Sequence, residues 1–201
     1  MAKALEIFEE HLRTGEPLFM VLSSPTGYGK STMSLTLAAA LRRPNPLGSR
    51  LIHVLPLRAI VSELYGKAVR AYGWEDRPDP CGRPVEEGEG LPPVARPTVG
   101  AQAMHFLDGE KTPFLTADLV FTTFDSFVYD LFRIPVGGGS HHEIPRYSIY
   151  SSVVVFDEAH LYAGEPAEEG EEAGGGKMLS AFLASISVSY THLTLPTTER
   201  V

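Results

Sequence analysis

One segment constrains the fold of this chain more than any other, because it can form a loop that binds phosphate. It follows the apolar run LFMVL at residues 18–22 and precedes a stretch of helical character that ends at Arg42 and Arg43. Strand, glycine-rich turn and helix in this order let consecutive backbone N–H groups point at bound phosphates. The expected nucleotide-binding residues are Ser24, Pro25, Thr26, Gly27, Tyr28, Gly29, Lys30, Ser31 and Thr32.

The loop departs from the general pattern GxxxxGK[ST] at one position, where Ser24 replaces the first glycine. In such loops the lysine, here Lys30, reaches the β- and γ-phosphates, and the hydroxyl of Ser31 binds Mg²⁺. An incidental glycine turn is the alternative interpretation, and the flanking strand and helix patterns speak against it. We therefore predict ATP and Mg²⁺ as cofactors.

Apolar runs of strand length alternate with amphipathic stretches along the rest of the chain. Further strands are predicted at residues 51–55, 98–106, 118–123 and 152–156, with helices near residues 5–12, 57–68, 124–132 and 178–186. Strands that are apolar on both faces and alternate with helices are typical of a parallel sheet covered on both sides. The sequence thus predicts an α/β fold with three layers and a mainly parallel central sheet.

An acidic motif, Asp157-Glu158-Ala159-His160, follows the apolar run SVVVF directly. An acid at the end of a buried parallel strand is well placed to hold Mg²⁺ beside a phosphate-binding loop. We expect Asp157 to hold the metal, directly or through water, and Glu158 to orient and deprotonate the attacking water. His160 is expected to link the nucleotide site to a nucleic-acid face. The alternative is a helix N-terminus with two solvated acids.

Together the two motifs resemble those of superfamily 2 DExH helicases over about residues 1–186, including the [AS]-x-T-G-x-G-K-[ST] form of the loop. This resemblance implies the first RecA-like P-loop lobe of an ATP-dependent helicase. Within the superfamily the chain looks most like the CRISPR-associated helicase of type I interference, in the archaeal form whose HD nuclease is a separate chain. That finer resemblance rests on HVLPLRAIVSEL, AQAMHF, LVFTTFDSF and VVVFDEAHLY.

The resemblance also implies a substrate and partners. Its expected nucleic-acid contacts are Pro56, Leu57, Arg58, Thr122, Thr123 and Asp125. Side chains and backbone amides at strand ends suit sequence-independent contacts with phosphates. The implied activity is 3′ to 5′ movement on single-stranded DNA displaced by a CRISPR surveillance complex in antiviral defence, with RNA left open as a substrate. Another DExH helicase, a restriction-type translocase and an inactive nucleotide-binding fragment are the competing interpretations.

The net charge of −8 does not argue against a nucleic-acid partner, because the acidic residues are concentrated. Six lie in residues 75–90 and five in residues 161–175, both expected loops, so the remaining body is close to neutral. The chain has a charged N-terminus and contains no apolar run long enough to cross a membrane. Its single cysteine, Cys81, cannot form an internal disulfide. We expect a cytoplasmic protein without a membrane partner. His141 and His142 are expected to be solvated rather than metal-bound.

The chain is expected to divide at residue 186. Residues 1–186 are interpreted as a truncated ATP-binding lobe, and residues 187–201 as a non-native artefact, because SVSYTHLTLPTTERV lacks the Ser-Ala-Thr motif of the family and resembles a translated sequencing adapter. An arginine from a second lobe supplies a factor of about 10³ to 10⁵ in rate in such enzymes. The chain alone is therefore expected to bind ATP and Mg²⁺ weakly, to hydrolyse almost no ATP, and not to translocate.

Overall fold

The computed structural model describes residues 2–15, 18–23, 29, 33–41, 48–72, 97–103, 112, 114–132, 143–162 and 180–187. Several of the expectations above lie outside these residues. They concern residues 24–28 and 30–32 of the phosphate-binding loop, the loops at 74–96 and 163–175, the histidines at 141 and 142, and residues 188–201.

Helices and strands alternate through the described part of the chain. They are α1 (Ala2–Thr14), α2 (Met33–Leu41), β1 (Arg50–Leu55), α3 (Arg58–Ala71), β2 (Val99–Gln102), β3 (Leu119–Thr123), α4 (Phe124–Phe132), α5 (Glu143–Tyr150) and β4 (Ser152–Phe156). A short 3-10 helix, Ala159–Tyr162, follows β4, and residues 180–187 are helical as well.

The four described strands form one sheet in the order β2-β3-β1-β4, and every neighbouring pair is parallel. Leu51 of β1 lies opposite Leu119 of β3 on one side and Val153 of β4 on the other. Because all strands point the same way, their carboxyl ends meet at a single edge. The predicted parallel α/β architecture is confirmed.

Helices cover both faces of this sheet, since successive side chains of a strand point to opposite sides. On one face Leu51 and Leu55 of β1 pack in a core with residues of α1, α2 and α3. On the other face Ile52 and Val54 pack with residues of α4 and α5. The result is the predicted arrangement of helix layer, sheet and helix layer.

The predicted strand at residues 18–22 is wrong. Residues 18–23 have no regular secondary structure, and the side chain of Val21 is 79% exposed. An apolar run of this length favours a strand, but a strand also needs a partner for its backbone N–H and C=O groups. Residues 18–23 instead line a groove together with β4, whose outer edge pairs with no strand in the described residues.

Two other elements differ from the sequence prediction. The strand expected at residues 98–106 is described only as Val99–Gln102, and residues 104–106 lie outside the described part. Helix α5 was not predicted, because its sequence EIPRYSIY contains Pro145 and follows a glycine-rich run. Proline is tolerated there because it lies in the first turn, where backbone N–H groups have no partner within the helix.

Candidate functional site

The predicted functional residues in the described part of the chain gather at the carboxyl edge of the sheet. Residues 56–58 follow β1, Thr122 and Thr123 end β3, and the acidic motif follows β4. Ligands of open parallel α/β sheets bind outside this edge. The topology thus brings together segments that are about a hundred residues apart in sequence.

Asp157 is held in place by the ladder between β1 and β4. Its backbone N–H donates to the carbonyl of Val54 at 3.0 Å, so the pairing continues one residue beyond the strand. The carboxylate oxygen Oδ1 accepts a hydrogen bond from the backbone N–H of Glu158 at 2.9 Å. With 11% of its side chain exposed, Asp157 presents a fixed carboxylate at the edge of the sheet.

Glu158 has a left-handed backbone conformation, with φ 49°. Non-glycine residues adopt such angles rarely, at a cost on the order of 1–3 kcal/mol, and they cluster at functional sites. The Glu158 side chain is 35% exposed, and its Oε2 lies 3.3 Å from Nδ1 of His160, which is 72% exposed. Glu158, which is predicted to orient and deprotonate the attacking water, is therefore accessible to solvent and in contact with His160.

Tyr162 anchors the turn that carries the acidic motif. Its buried ring stacks on Phe124 with 4.5 Å between ring centroids, and its hydroxyl lies 3.5 Å from the carbonyl of Val54, the long limit of a hydrogen bond. Burial, together with the nearby carboxylates of Asp157 and Glu158, raises the pKa of this phenol above its usual range. The hydroxyl therefore stays neutral and tethers the motif to β1.

Gly29 is the residue of the predicted phosphate-binding loop that the structure describes. Its φ is 75°, an angle that glycine adopts without steric cost. Its carbonyl accepts the backbone N–H of Met33 at 3.1 Å, which joins the loop to the first residue of α2. The position of the Lys30 side chain lies outside the described residues, as do those of Ser31 and Thr32.

A groove of about 660 Å³ connects the start of α2 with the acidic edge. Met33 and Leu37 of α2 line it, as do Asp157 and Glu158. Residues 18–23, which lead into the phosphate-binding loop, form another part of its wall. The helix that begins at the loop and the acids that follow β4 thus face one common space.

The residues expected to contact nucleic acid fall into two groups. Leu57, Arg58 and Asp125 are exposed at the carboxyl edge, next to the half-buried Pro56. The hydroxyls of the two threonines are engaged within the protein instead. Thr122 is buried and donates to the carbonyl of Gln102 at 2.9 Å. Oγ1 of Thr123 accepts the backbone N–H of Ser126 at 3.4 Å and so caps α4.

His53 is a residue of the site that the sequence analysis missed. It lies in β1 with 1% of its side chain exposed, and its Nε2 is 3.6 Å from Oδ2 of Asp157. Neither ring nitrogen has a hydrogen-bond partner among the described residues. A buried polar atom without a partner costs about 1–3 kcal/mol. The sequence feature that could have identified His53 is that it is the polar residue in the otherwise apolar run LIHVL.

The donor set at this edge suits Mg²⁺ bound together with phosphates. The described residues contain no group of three or more His, Cys, Asp or Glu side chains that could hold a metal alone. Mg²⁺ usually takes one or two protein carboxylates and completes its shell with water and substrate phosphates. Asp157, fixed and slightly exposed beside the groove, fits that requirement.

Comparisons with known proteins point to one family. A family model described as DEAD/DEAH box helicase matches residues 6–182. No curated protein and no solved structure matches the chain. The matched range contains the phosphate-binding loop, the acidic motif and both predicted nucleic-acid segments. Within the described residues, no helix is long and apolar enough to cross a membrane.

Proposed function

Because the chain belongs to the DEAD/DEAH box helicase family, we propose that it is the ATP-binding lobe of a helicase that moves on single-stranded nucleic acid. One observation supports this most strongly. Asp157 and Glu158, at the end of β4, line the same groove as Met33, the first residue of the helix that begins at the phosphate-binding loop. A metal-binding acid, a water-orienting acid and a phosphate-binding helix start are among the parts that ATP hydrolysis requires.

The proposed roles follow from the chemistry of each side chain. Bound MgATP supplies the phosphoryl group that is transferred to water. Lys30 binds the β- and γ-phosphates, while Ser31 and Asp157 hold Mg²⁺. Glu158 orients a water molecule and accepts its proton at a carboxylate oxygen, because its side chain is open to solvent. His160, in contact with Glu158, connects this step to the nucleic-acid face.

The nucleotide site is tested by titrating the 201-residue chain with a fluorescent ATP analogue in the presence of Mg²⁺. We expect Lys30→Ala to weaken binding at least tenfold, because a charge-assisted hydrogen bond contributes about 1.5–3 kcal/mol. Lys67→Ala is the matched control, since Lys67 is an exposed lysine of α3 paired with Glu63 at 2.6 Å. Equal affinities of all three proteins would leave a folded chain without a nucleotide site.

For nucleic acid we propose backbone contacts by Pro56, Leu57, Arg58 and Asp125, and a supporting role for the buried Thr122 and Thr123. The exposure of Arg58 at the carboxyl edge supports a phosphate contact by its guanidinium. The two threonines would contribute mainly by shaping the edge, because their hydroxyls are engaged in the protein.

The nucleic-acid proposal is tested by the salt dependence of single-stranded DNA binding. Arg58→Ala should lower the slope of log K against log salt by about 0.7, the value for one phosphate contact on a single strand. Arg50→Ala is the matched control, because Arg50 begins β1 at the opposite edge of the sheet, where its side chain donates to the hydroxyl of Ser151. If both variants behave alike, the carboxyl edge is not the binding face.

We further propose that the protein is the CRISPR-associated helicase of type I interference, with a surveillance complex and a separate HD nuclease as partners. Support comes from the secondary motifs HVLPLRAIVSEL, AQAMHF, LVFTTFDSF and VVVFDEAHLY. Genes for an HD nuclease and for surveillance-complex subunits next to this one would support the assignment, whereas restriction genes would favour a restriction-type translocase.

A further inference from the structure

His53 is a buried polar residue that the proposed chemistry above does not use. It occupies the middle of β1, opposite Phe121 of β3 and Val155 of β4. Its ring lies 5.6 Å from the ring of Phe121, measured between centroids, and it forms part of the groove wall. The side chain is thus fixed by packing beneath the acidic edge.

Asp157 is an acidic group that lies near this ring. Nε2 of His53 lies 3.6 Å from Oδ2, which is a few tenths of an ångström beyond hydrogen-bond distance. The other carboxylate oxygen, Oδ1, already accepts the backbone N–H of Glu158. Oδ2 is the oxygen of Asp157 that lies nearest to the imidazole of His53.

We propose that His53 is a positioning residue for Asp157, with Nε2–H donating to Oδ2. The carboxylate is then held at both oxygens, by His53 on one and by Glu158 on the other. Each oxygen keeps a second lone pair with which to bind Mg²⁺ or its water. Groups that hold metal ligands in orientation change metal affinity by about 10- to 100-fold. This role rests on the proposed function of Asp157 in the ATP site.

Two substitutions separate positioning from simple packing. His53→Phe fills the space and removes both buried nitrogens without partners, so a packing role predicts a variant at least as good as the wild type. His53→Gln retains an N–H donor at similar reach. Ser152→Ala is the matched control, because it removes a buried hydrogen bond to the carbonyl of Ser148 at the opposite end of the strand that leads to Asp157.

The experiment measures binding of a fluorescent ATP analogue to the full 201-residue chain across a series of Mg²⁺ concentrations. We expect His53→Phe to raise the Mg²⁺ concentration at half-saturation by about tenfold, with a melting temperature equal to or a few degrees above that of the wild type. His53→Gln should recover most of the Mg²⁺ affinity. Ser152→Ala should melt at a lower temperature with unchanged Mg²⁺ dependence.

The outcomes distinguish this role from the proposed function. Wild-type Mg²⁺ dependence in His53→Phe overturns the positioning role and leaves the ATP site intact. Absence of Mg²⁺-dependent binding in the wild type overturns the proposed function, and the positioning role with it.

A measurement without nucleotide gives a second readout. In ¹⁵N-resolved spectra of the imidazole, we expect the Nε2–H tautomer in the wild type and its loss in Asp157→Ala. The Nδ1–H tautomer in the wild type would overturn the positioning role.

Discussion

Asp130 is a buried carboxylate of α4, and its surroundings suit a neutral group. Only 8% of the residue is exposed, and its Oδ2 has no hydrogen-bond partner among the described residues. Burial raises the pKa of this carboxyl from 3.8 to about 7. The folded protein therefore keeps a proton on Asp130 at pH values where the unfolded chain has lost it.

This difference in pKa predicts how the stability of the protein depends on pH. The contribution of Asp130 to the free energy of unfolding should be highest below about pH 4 and should fall as the pH rises towards about 7. Asp130→Asn removes the ionisable proton, so the variant should match the wild type near pH 4. At pH 8 it should be more stable by roughly 1–3 kcal/mol, because the wild type must then bury a charged carboxylate or take up a proton, whereas the amide stays neutral.

Urea unfolding of both proteins from pH 4 to pH 8 measures this effect. A stability difference that stays constant over that range would show that Asp130 ionises alike in the folded and unfolded states.

Among single residues, the sequence allows prediction of those that belong to a motif. Asp157 and Glu158 were predicted because an acid after an apolar strand has a known geometric meaning. His53 and Asp130 were not predicted, because their importance depends on what packs around them. A histidine in an apolar strand indicates a buried polar group, but the nearness of Asp157 follows only from the pairing of β1 with β4.

At two glycines in regular secondary structure, we expect replacement by alanine to have opposite effects on the stability of the protein. In β2, a Cβ on Gly100 would lie 2.5 Å from Cγ2 of Thr112, closer than packing allows. In α3, a Cβ on Gly66 would meet nothing nearer than the end of the Arg70 side chain at 3.6 Å. Gly100→Ala should destabilise the protein by about 1–3 kcal/mol. Gly66→Ala should stabilise it by about 0.5–1 kcal/mol through helix propensity.

Thermal or urea unfolding of the two alanine variants beside the wild type tests this pair. Because both replace glycine by alanine, they serve as controls for each other. Equal effects on stability would mean that β2 does not approach Thr112 as closely as described.

At the level of elements, the sequence predicts the strands that have apolar side chains packed on both faces. In these strands the local apolar pattern and the tertiary structure both favour an extended conformation, because the strands pair on both sides or pack on both faces. They are residues 51–55, 119–123 and 152–156. Residues 18–22 show the limit of that inference, because pairing depends on a neighbouring strand that local sequence does not reveal. Helix α5 was missed because Pro145 and the preceding glycines resemble a loop.

At the level of the whole molecule, the parallel sheet explains how distant segments form one candidate site. The order β2-β3-β1-β4 places the ends of β1, β3 and β4 side by side. The acidic motif after β4 thereby comes to the same groove as the start of α2, although the two are more than a hundred residues apart in sequence. We propose that Lys30 and Asp157 bind one triphosphate and its metal.

The affinity for a fluorescent ATP analogue, measured with Mg²⁺ and again with EDTA, tests this claim most directly. Lys30→Ala should weaken binding under both conditions, because the lysine contacts the phosphates themselves. Asp157→Ala should weaken it about tenfold with Mg²⁺ and leave it unchanged in EDTA, because the aspartate acts through the metal. An equal loss under both conditions for Asp157→Ala, or no loss with Mg²⁺, would contradict the claim.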